Sequence, residues 1–324
     1  MSTLTAALTA RRAALGSLLL RKYAIVWVTV LLFVFLAVTT ANFLSVANFR
    51  NVLDQQSTVL IVAAPATLTI IAGGFDVSLS AVYILSPLVA LRVENATGSV
   101  LLAIAAGIAT GMAAGTVNAI AVTVFRINPF IATLATSFAF FGLAYYVSGE
   151  SILRPSGLDY RHWVSTRILG LTSATWMAAA VVVLAWFLLD RTRFGRYVFA
   201  GGGNPEAGRL AGVRVSGVLA VTFALGGGAA GFAGTIVSAQ TLSAQATDDF
   251  SFIFAVIAAI VVGGTSIAGG EGAVWRTVVG VFFIAMLING FNLNGVDPVY
   301  QRIIEGVVIL LAVGTDAWTR ARRA

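Results

Sequence analysis

Few side chains in this chain could do chemistry, and most of those stand inside apolar runs. There is no cysteine and a single histidine, His162, which falls in a polar stretch. A disulfide, a thiolate nucleophile and a Cys-ligated zinc or iron–sulfur site are therefore excluded. Catalysis by a His pair or triad goes with them. What remains is hydrogen bonding at membrane depth, where a polar group is costly and needs a reason. Asp76, Ser78 and Ser80 follow the pair Gly73-Gly74. Two glycines invite unwinding, and unwound backbone in a membrane is tolerated only where it is buried in protein or lines a wet cavity. Asp76 and Ser78 then either touch a polar path, or Asp76 caps the helix that begins at Val77. Asn118, Asn289 and Asn292 can hydrogen-bond a solute hydroxyl or bridge two helices. Glu305, one turn after Arg302, is expected to pair with it.

The densest local signal lies at 195–215. After Gly201-Gly202-Gly203, Asn204 is suited to cap a helix and Pro205 to start it. Glu206 sits at the positive end of the helix dipole and Arg209 toward the negative end, while Gly212 can close it. A short amphipathic helix of about seven residues, 205–211, is expected. It is either an interfacial helix on the membrane or, given its shortness and single apolar turn at Leu210, a helix that docks into a protein groove. A phosphate loop needs Gly-x-x-x-x-Gly-Lys-Ser/Thr. The one lysine, Lys22, stands between Arg21 and Tyr23, so the chain is not its own motor of that type.

The elements that must hold these residues are helices in lipid. Apolar residues are 59% of 324 and charged residues 10%, against roughly 45–50% and about 25% in ordinary soluble domains. One core cannot hide that much apolar surface from water. Apolar runs fall at 23–44, 57–73, 77–91, 98–125, 130–148, 172–189, 215–238, 251–268, 273–291 and 300–316, each near the ~20 residues that cross a bilayer. The fold class expected is all-α, a polytopic bundle of about ten spans. The first run is too long for a signal-peptide core and is expected to be an uncleaved span. The organisation expected is an N-terminal segment 1–22, one membrane domain 23–316 with a cytoplasmic loop 190–214, and a tail 317–324. Gly107, Gly111 and Gly115 recur every four residues, as do Gly227 and Gly231, so each set lies on one helix face where another helix can come close. That contact is either within the chain or between subunits.

The net charge of +7 comes from arginines spread between the runs, which fits topology signals rather than a nucleic-acid patch. With the N-terminus inside, the cytoplasmic segments collect Arg11, Arg12, Arg21, Lys22, Arg126, Arg191, Arg193, Arg196, Arg209, Arg214, Arg276, Arg320, Arg322 and Arg323. The other side keeps Arg50, Arg92, Arg154, Arg161, Arg167 and Arg302. This bias places both termini in the cytoplasm. A faint echo links residues 72–76 with 262–266, too short to count as a repeat.

Taken in order, these segments resemble the ribose-type permeases of bacterial ABC importers, which are related to the branched-chain amino-acid permeases. The resemblance is carried by Gly73-Gly74-Phe75-Asp76-Val77-Ser78, Asn118, Asn128-Pro129-Phe130-Ile131-Ala132-Thr133-Leu134, Gly195-Arg196-Tyr197, Gly203-Asn204, Ala207, Arg209-Leu210, Gly212, Gly263-Gly264-Thr265-Ser266, Gly269-Gly270, Asn289-Gly290 and Tyr300-Gln301. It departs at Ser80, where a Gly is usual, and at Glu305, where a Lys is frequent. The resemblance implies ten helices, a second permease subunit of the same or a homologous chain, cytoplasmic ATPase partners and an extracytoplasmic sugar-binding protein. It also implies that Gly203, Asn204, Pro205, Glu206, Arg209, Leu210 and Gly212 contact the ATPase. This chain would bind no cofactor, ATP and Mg being used by the partner.

The expected function is thus a permease subunit for a monosaccharide or small polyol in the bacterial inner membrane, with no chemistry of its own. Two rivals stand beside it. An ion-coupled transporter needs intramembrane acids, for which only Asp76 and Glu305 qualify. A membrane-embedded enzyme has no residues suited to it.

Overall fold

The computed structural model describes residues 24–304 together with 306, 307, 310 and 314. The expected segments 1–22 and 317–324, Glu305 with its pairing to Arg302, and much of the expected tenth span lie outside the described residues. Helices come first, as apolar sequence in lipid requires. They are α1 (Ala24–Thr39), α2 (Val46–Ile71), α3 (Leu79–Thr97), α4 (Val100–Thr123) and α5 (Pro129–Ser148). A segment then carries the short helix α6 (Asp159–Ser165) and a two-stranded antiparallel hairpin, β1 (Arg167–Ile168) and β2 (Leu171–Thr172). After these follow α7 (Ser173–Arg191), α8 (Arg193–Gly203), α9 (Pro205–Leu210), α10 (Val215–Thr241), α11 (Ser251–Val262) and α12 (Val274–Leu293).

Six of the described helices, α3, α4, α5, α7, α10 and α12, are long and apolar enough to cross a membrane, while α1 and α11 are apolar but shorter. The expected boundaries move at several places, α1 ending at Thr39 rather than 44 and α3 running on to Thr97 rather than 91. Helix α2 starts eleven residues before 57, because the Ser45 hydroxyl accepts the Asn48 N–H at 3.2 Å and the polar stretch after it continues the helix. Helix α3 starts at Leu79 rather than Val77. Helix α11 stops at Val262, six residues before the expected 268, where a glycine-rich loop takes over. Segments 149–171 and 190–214 hold more structure than expected. The first contains α6 and the hairpin, and the second contains two helices rather than one.

The core lies where α2, α3, α4 and α10 meet. From Leu60 to Ile71 every residue of α2 is buried. Helices α4 and α10 meet through the predicted glycines, so the contact lies within the chain. A Cβ built on Gly111 would fall on the Gly227 carbonyl oxygen, and one on Gly231 would fall on that of Gly107. On Gly115 it would meet the Phe223 carbonyl. Backbone lies on backbone here, and dispersion over that contact replaces a hydrophobic drive that lipid does not supply. Side-chain hydrogen bonds tie α2 across the bundle, Thr67 to Thr277 of α12 at 2.7 Å and Thr69 to the Thr222 carbonyl of α10 at 3.1 Å.

Candidate functional site

The break between α2 and α3 holds a buried polar cluster. Asp76 Oδ1 accepts the Ser78 N–H at 2.9 Å and the Ser78 hydroxyl at 2.6 Å. The Asn118 amide, from α4, donates to Ser78 Oγ at 2.6 Å and more weakly to Asp76 Oδ1 at 3.4 Å. Thr136, from α5, donates to Asn118 Oδ1 at 2.6 Å. Thr133 Oγ1 accepts the Val77 N–H at 3.1 Å and donates to the Pro129 carbonyl at 2.8 Å. Asp76 therefore closes a turn on Ser78 and does not cap α3, whose N-cap position is Ser78 and carries no side-chain cap hydrogen bond. Its other oxygen, Oδ2, is buried with no partner. The crevice beside it, between Thr69, Phe75, Leu79, Ile253 and Ile257, has a volume of only about 10 Å³, room for one water at most. In this conformation there is no room beside Asp76 for a larger solute.

Beneath that cluster three chain breaks meet. Gly73, with φ of 86°, ends α2 in the left-handed region. The Gly270 N–H, from the loop after α11, donates to the Ile71 carbonyl at 2.8 Å. Gly202, in the last turn of α8, lies so close that a Cβ on it would overlap the Ile71 carbonyl oxygen. This close approach explains why glycines that read as loop are the end of a helix. The echo between 72–76 and 262–266 has a counterpart here, since both segments leave a helix through a left-handed glycine. The equivalent residues are Gly73 and Gly264, at φ 86° and 87°, one position out of the register of the echo.

Helix α9 projects from this junction. Asn204 Oδ1 accepts the Glu206 and Ala207 N–H groups at 3.1 and 3.0 Å, as its cap role predicts, and Pro205 is the first helical residue. Gly212, at φ 81°, closes the turn. Gly203, Glu206 and Arg209 lie partly or fully open to solvent, and Leu210 is 87% exposed, an apolar side chain with nothing beneath it.

The remaining candidates fall elsewhere. Asn289 forms a reciprocal amide pair with Asn48, at 2.9 and 2.8 Å. Asn48 lies at the far end of α2 from Ile71, about 35 Å away at 1.5 Å per residue. Asn289 is therefore a helix bridge remote from Asp76, and Asn292 accepts from Gln301 at 3.0 Å. Both are separated from the Asp76, Ser78 and Asn118 cluster. Thr133 and Thr136 are the members that residue-by-residue reasoning missed as site residues. With Ser137 they recur at helical spacing in an apolar run, which is the signal that marks them. Ser80, fully buried, donates to the Asp249 carbonyl at 2.9 Å and accepts the Ile253 N–H at 3.3 Å, joining α3 to the start of α11.

At the opposite end the 149–158 loop is strapped down. Buried Glu94 accepts the Ser156 N–H at 2.9 Å and the Ser156 hydroxyl at 2.6 Å. Asn95 donates to the Arg154 carbonyl at 2.9 Å, and Leu153 pairs with Ala244 backbone to backbone. Residues 154–158 and 241–243 enclose an open depression of about 470 Å³. Nearby, burial pushes the Tyr160 phenol up to about 12, its hydrogen bond with Ser238 pulling the other way. His162 pairs only loosely with Asp159, at 3.9 Å and in solvent. Among the described residues no three His, Asp or Glu side chains form a group that could hold a metal.

Comparison with known proteins gives this geometry its context. The chain is 37% identical over 279 residues to the ribose import permease protein RbsC of Escherichia coli K12, covering 85% of this chain and 87% of that one. It is 37% identical over 290 residues to RbsC of Bacillus subtilis, covering 88% and 89%. It is 34% identical over 303 residues to the galactose/methyl galactoside import permease protein MglC of Salmonella typhimurium, covering 87% and 90%. No solved structure matches the chain. The model of the branched-chain amino acid transport system / permease component family matches residues 48–313, and the chain belongs to that family.

Proposed function

We propose that this chain is the membrane-spanning subunit of a bacterial ABC importer for a monosaccharide or related polyol. The observation that carries the proposal is the junction of three breaks, which joins exposed α8–α9 to the buried cluster at Asp76. Relatives named for ribose and galactose/methyl galactoside import supply the solute class. A sugar is a set of hydroxyls, and Asp76 Oδ2, Ser78, Asn118 and Thr136 are the acceptors and donors that suit them once the crevice opens. Helix α9, through Leu210, is the contact for a cytoplasmic ATPase that uses ATP and Mg. The depression at 154–158 and 241–243 faces an extracytoplasmic sugar-binding protein. A second permease chain completes the path, and the ten expected spans with both termini in the cytoplasm remain part of the proposal. ATP-driven motion of the partner then rocks the helices between outward- and inward-open states.

The test is uptake of radiolabelled ribose into vesicles holding this chain, its ATPase and its binding protein. Uptake should need internal ATP and survive an uncoupler. Uptake abolished by the uncoupler and indifferent to ATP would instead support an ion-coupled transporter.

A further inference from the structure

Between α10 and α11 the chain descends to membrane depth without a helix. Helix α10 ends at Thr241 and α11 begins at Ser251, and residues 245–250 belong to no helix or strand. Ala244 is pinned at the end of the bundle that holds the 149–158 loop, its N–H and carbonyl each bonded to Leu153 at 2.9 Å. Asp249 is pinned far below, its carbonyl accepting the Ser80 hydroxyl at 2.9 Å. Helix α3 measures how far. From Glu94, which holds Ser156, down to Ser80 is fourteen residues, about 21 Å of helix in a hydrocarbon core of ~30 Å. Phe250 gives the same depth, its ring edge-on at 5.1 Å from Phe141 and 6.1 Å from Phe138, in the middle of α5. Five residues span about 18 Å only when extended. Residues 244–249 therefore descend as an extended chain with no partner strand.

Extended backbone at that depth has polar groups to satisfy. Among the described residues, Gln245, Ala246, Thr247 and Asp248 make no hydrogen bond through backbone or side chain. Lipid supplies no partner, so such backbone is stable only inside protein or against water. This chain does not bury it, since Gln245 and Asp248 are exposed and Ala246 and Thr247 half-buried. Asp249 differs, because its Oδ1 accepts the Ser251 N–H at 2.7 Å and shapes the turn into α11. The rings of Tyr83 and Phe252, stacked at 4.0 Å, fix that turn against α3. The segment also joins two features already described. Thr241, Leu242 and Ser243, just before it, line the open depression, and Ile253 and Ile257, just after it, line the crevice at Asp76. We propose that residues 245–248 wall a water-filled vestibule leading from the depression to Asp76. Gln245, Thr247, Asp248 and the free backbone groups offer hydrogen bonds to the solute's hydroxyls on the way. The identity of the solute rests on the proposed function, whereas the wet wall rests on the chain alone. Continuity with the depression and the crevice favours water over a second copy, which would have to bury the Asp248 carboxylate.

The absence of native cysteine suits the test. Gln245→Cys, Thr247→Cys and Asp248→Cys are made in the full chain, with Val183→Cys, on the apolar face of α7 and 58% exposed, as the lipid control. In nanodiscs, open to both faces, each is timed with a hydrophilic methanethiosulfonate, which attacks the thiolate that forms in water and not in lipid. The three should react about tenfold faster than Val183→Cys or more. In vesicles with the ATPase and binding protein, modification of Asp248→Cys should abolish ribose uptake. Asp248→Leu should slow uptake about tenfold, as the loss of one hydrogen bond to a charged group allows, and Asp248→Asn should slow it less. Labelling at the Val183→Cys rate, or uptake indifferent to modification at 248, would overturn the proposal. So would oxidative cross-linking of two copies through Thr247→Cys with the reagent excluded, since the segment would then be a subunit contact. The labelling rates need no transport. A wild type that takes up no ribose would therefore count against the proposed function, while the rates still decide the wet wall.

Discussion

Asp76 accepts through one carboxylate oxygen and buries the other without a partner. One oxygen is structural, and under the proposed function the other is left for a solute hydroxyl. Asp76→Asn can still accept from Ser78, and its amide nitrogen takes the place of Oδ2. We expect it to insert normally and to import at a reduced rate. Asp76→Leu strands the Ser78 N–H and the second hydrogen of the Asn118 amide, each costing about 1–3 kcal/mol when buried unpaired. Uptake should then be lost, with less folded protein recovered from membranes. Unchanged uptake by the Leu variant at equal membrane level would remove Asp76 from the path. How far the cluster was legible follows from its chemistry. Asp76, Ser78 and Asn118 stand out because acids and amides are rare in apolar runs. Thr133 and Thr136 do not, because a threonine commonly satisfies itself on its own helix. Asn289 looked like Asn118 in sequence, and only the reciprocal bond to Asn48 tells a bridge from a site.

The helices themselves were readable wherever an apolar run had a cap at each end. Asn128-Pro129 opens α5 and Gly149 closes it in the left-handed region. Helix α8 was not readable, since three glycines at its end argue for a loop unless one knows that Ile71 and Gly270 press against them. Helix α9 was readable in full, from the Asn204 cap to the Gly212 stop. Its purpose is tested by Leu210, which no part of the described chain covers. Buried apolar anchors at an interface carry about 1–2 kcal/mol or more, and charged rim contacts less. Leu210→Asp should therefore lower recovery of the ATPase on affinity purification, with insertion intact and uptake falling in step. Glu206→Ala and Arg209→Ala should have smaller effects. Equal ATPase recovery by wild type and Leu210→Asp would leave α9 as a helix resting on lipid.

Sidedness belongs to the whole molecule, and the bundle alone does not decide it. Within the described residues the α8–α9 end carries Arg126, Arg191, Arg193, Arg196, Arg209, Arg214 and Arg276, and the opposite end carries Arg50, Arg92, Arg154, Arg161, Arg167 and Arg302. Seven against six is no bias worth the name. The basic excess on which the proposed orientation rests lies in the two ends of the sequence, Arg11, Arg12, Arg21 and Lys22 at one and Arg320, Arg322 and Arg323 at the other. Charges flanking the first span usually dominate orientation. Cysteine labelling suits a chain with no native thiol, and the structure selects the positions. Ser156 is a poor choice, because its hydroxyl satisfies buried Glu94 at 2.6 Å. Leu158, 74% exposed in the same loop, is a better one. Leu158→Cys in intact cells should react with an impermeant maleimide, whereas exposed Glu206→Cys should react only in inverted vesicles. Neutralising Arg11, Arg12, Arg21 and Lys22 together should then produce a fraction of molecules with the pattern reversed. If the wild-type pattern is already reversed, with Glu206→Cys labelled from outside, the α8–α9 end cannot meet a cytoplasmic ATPase, and the proposed mode of transport falls with it.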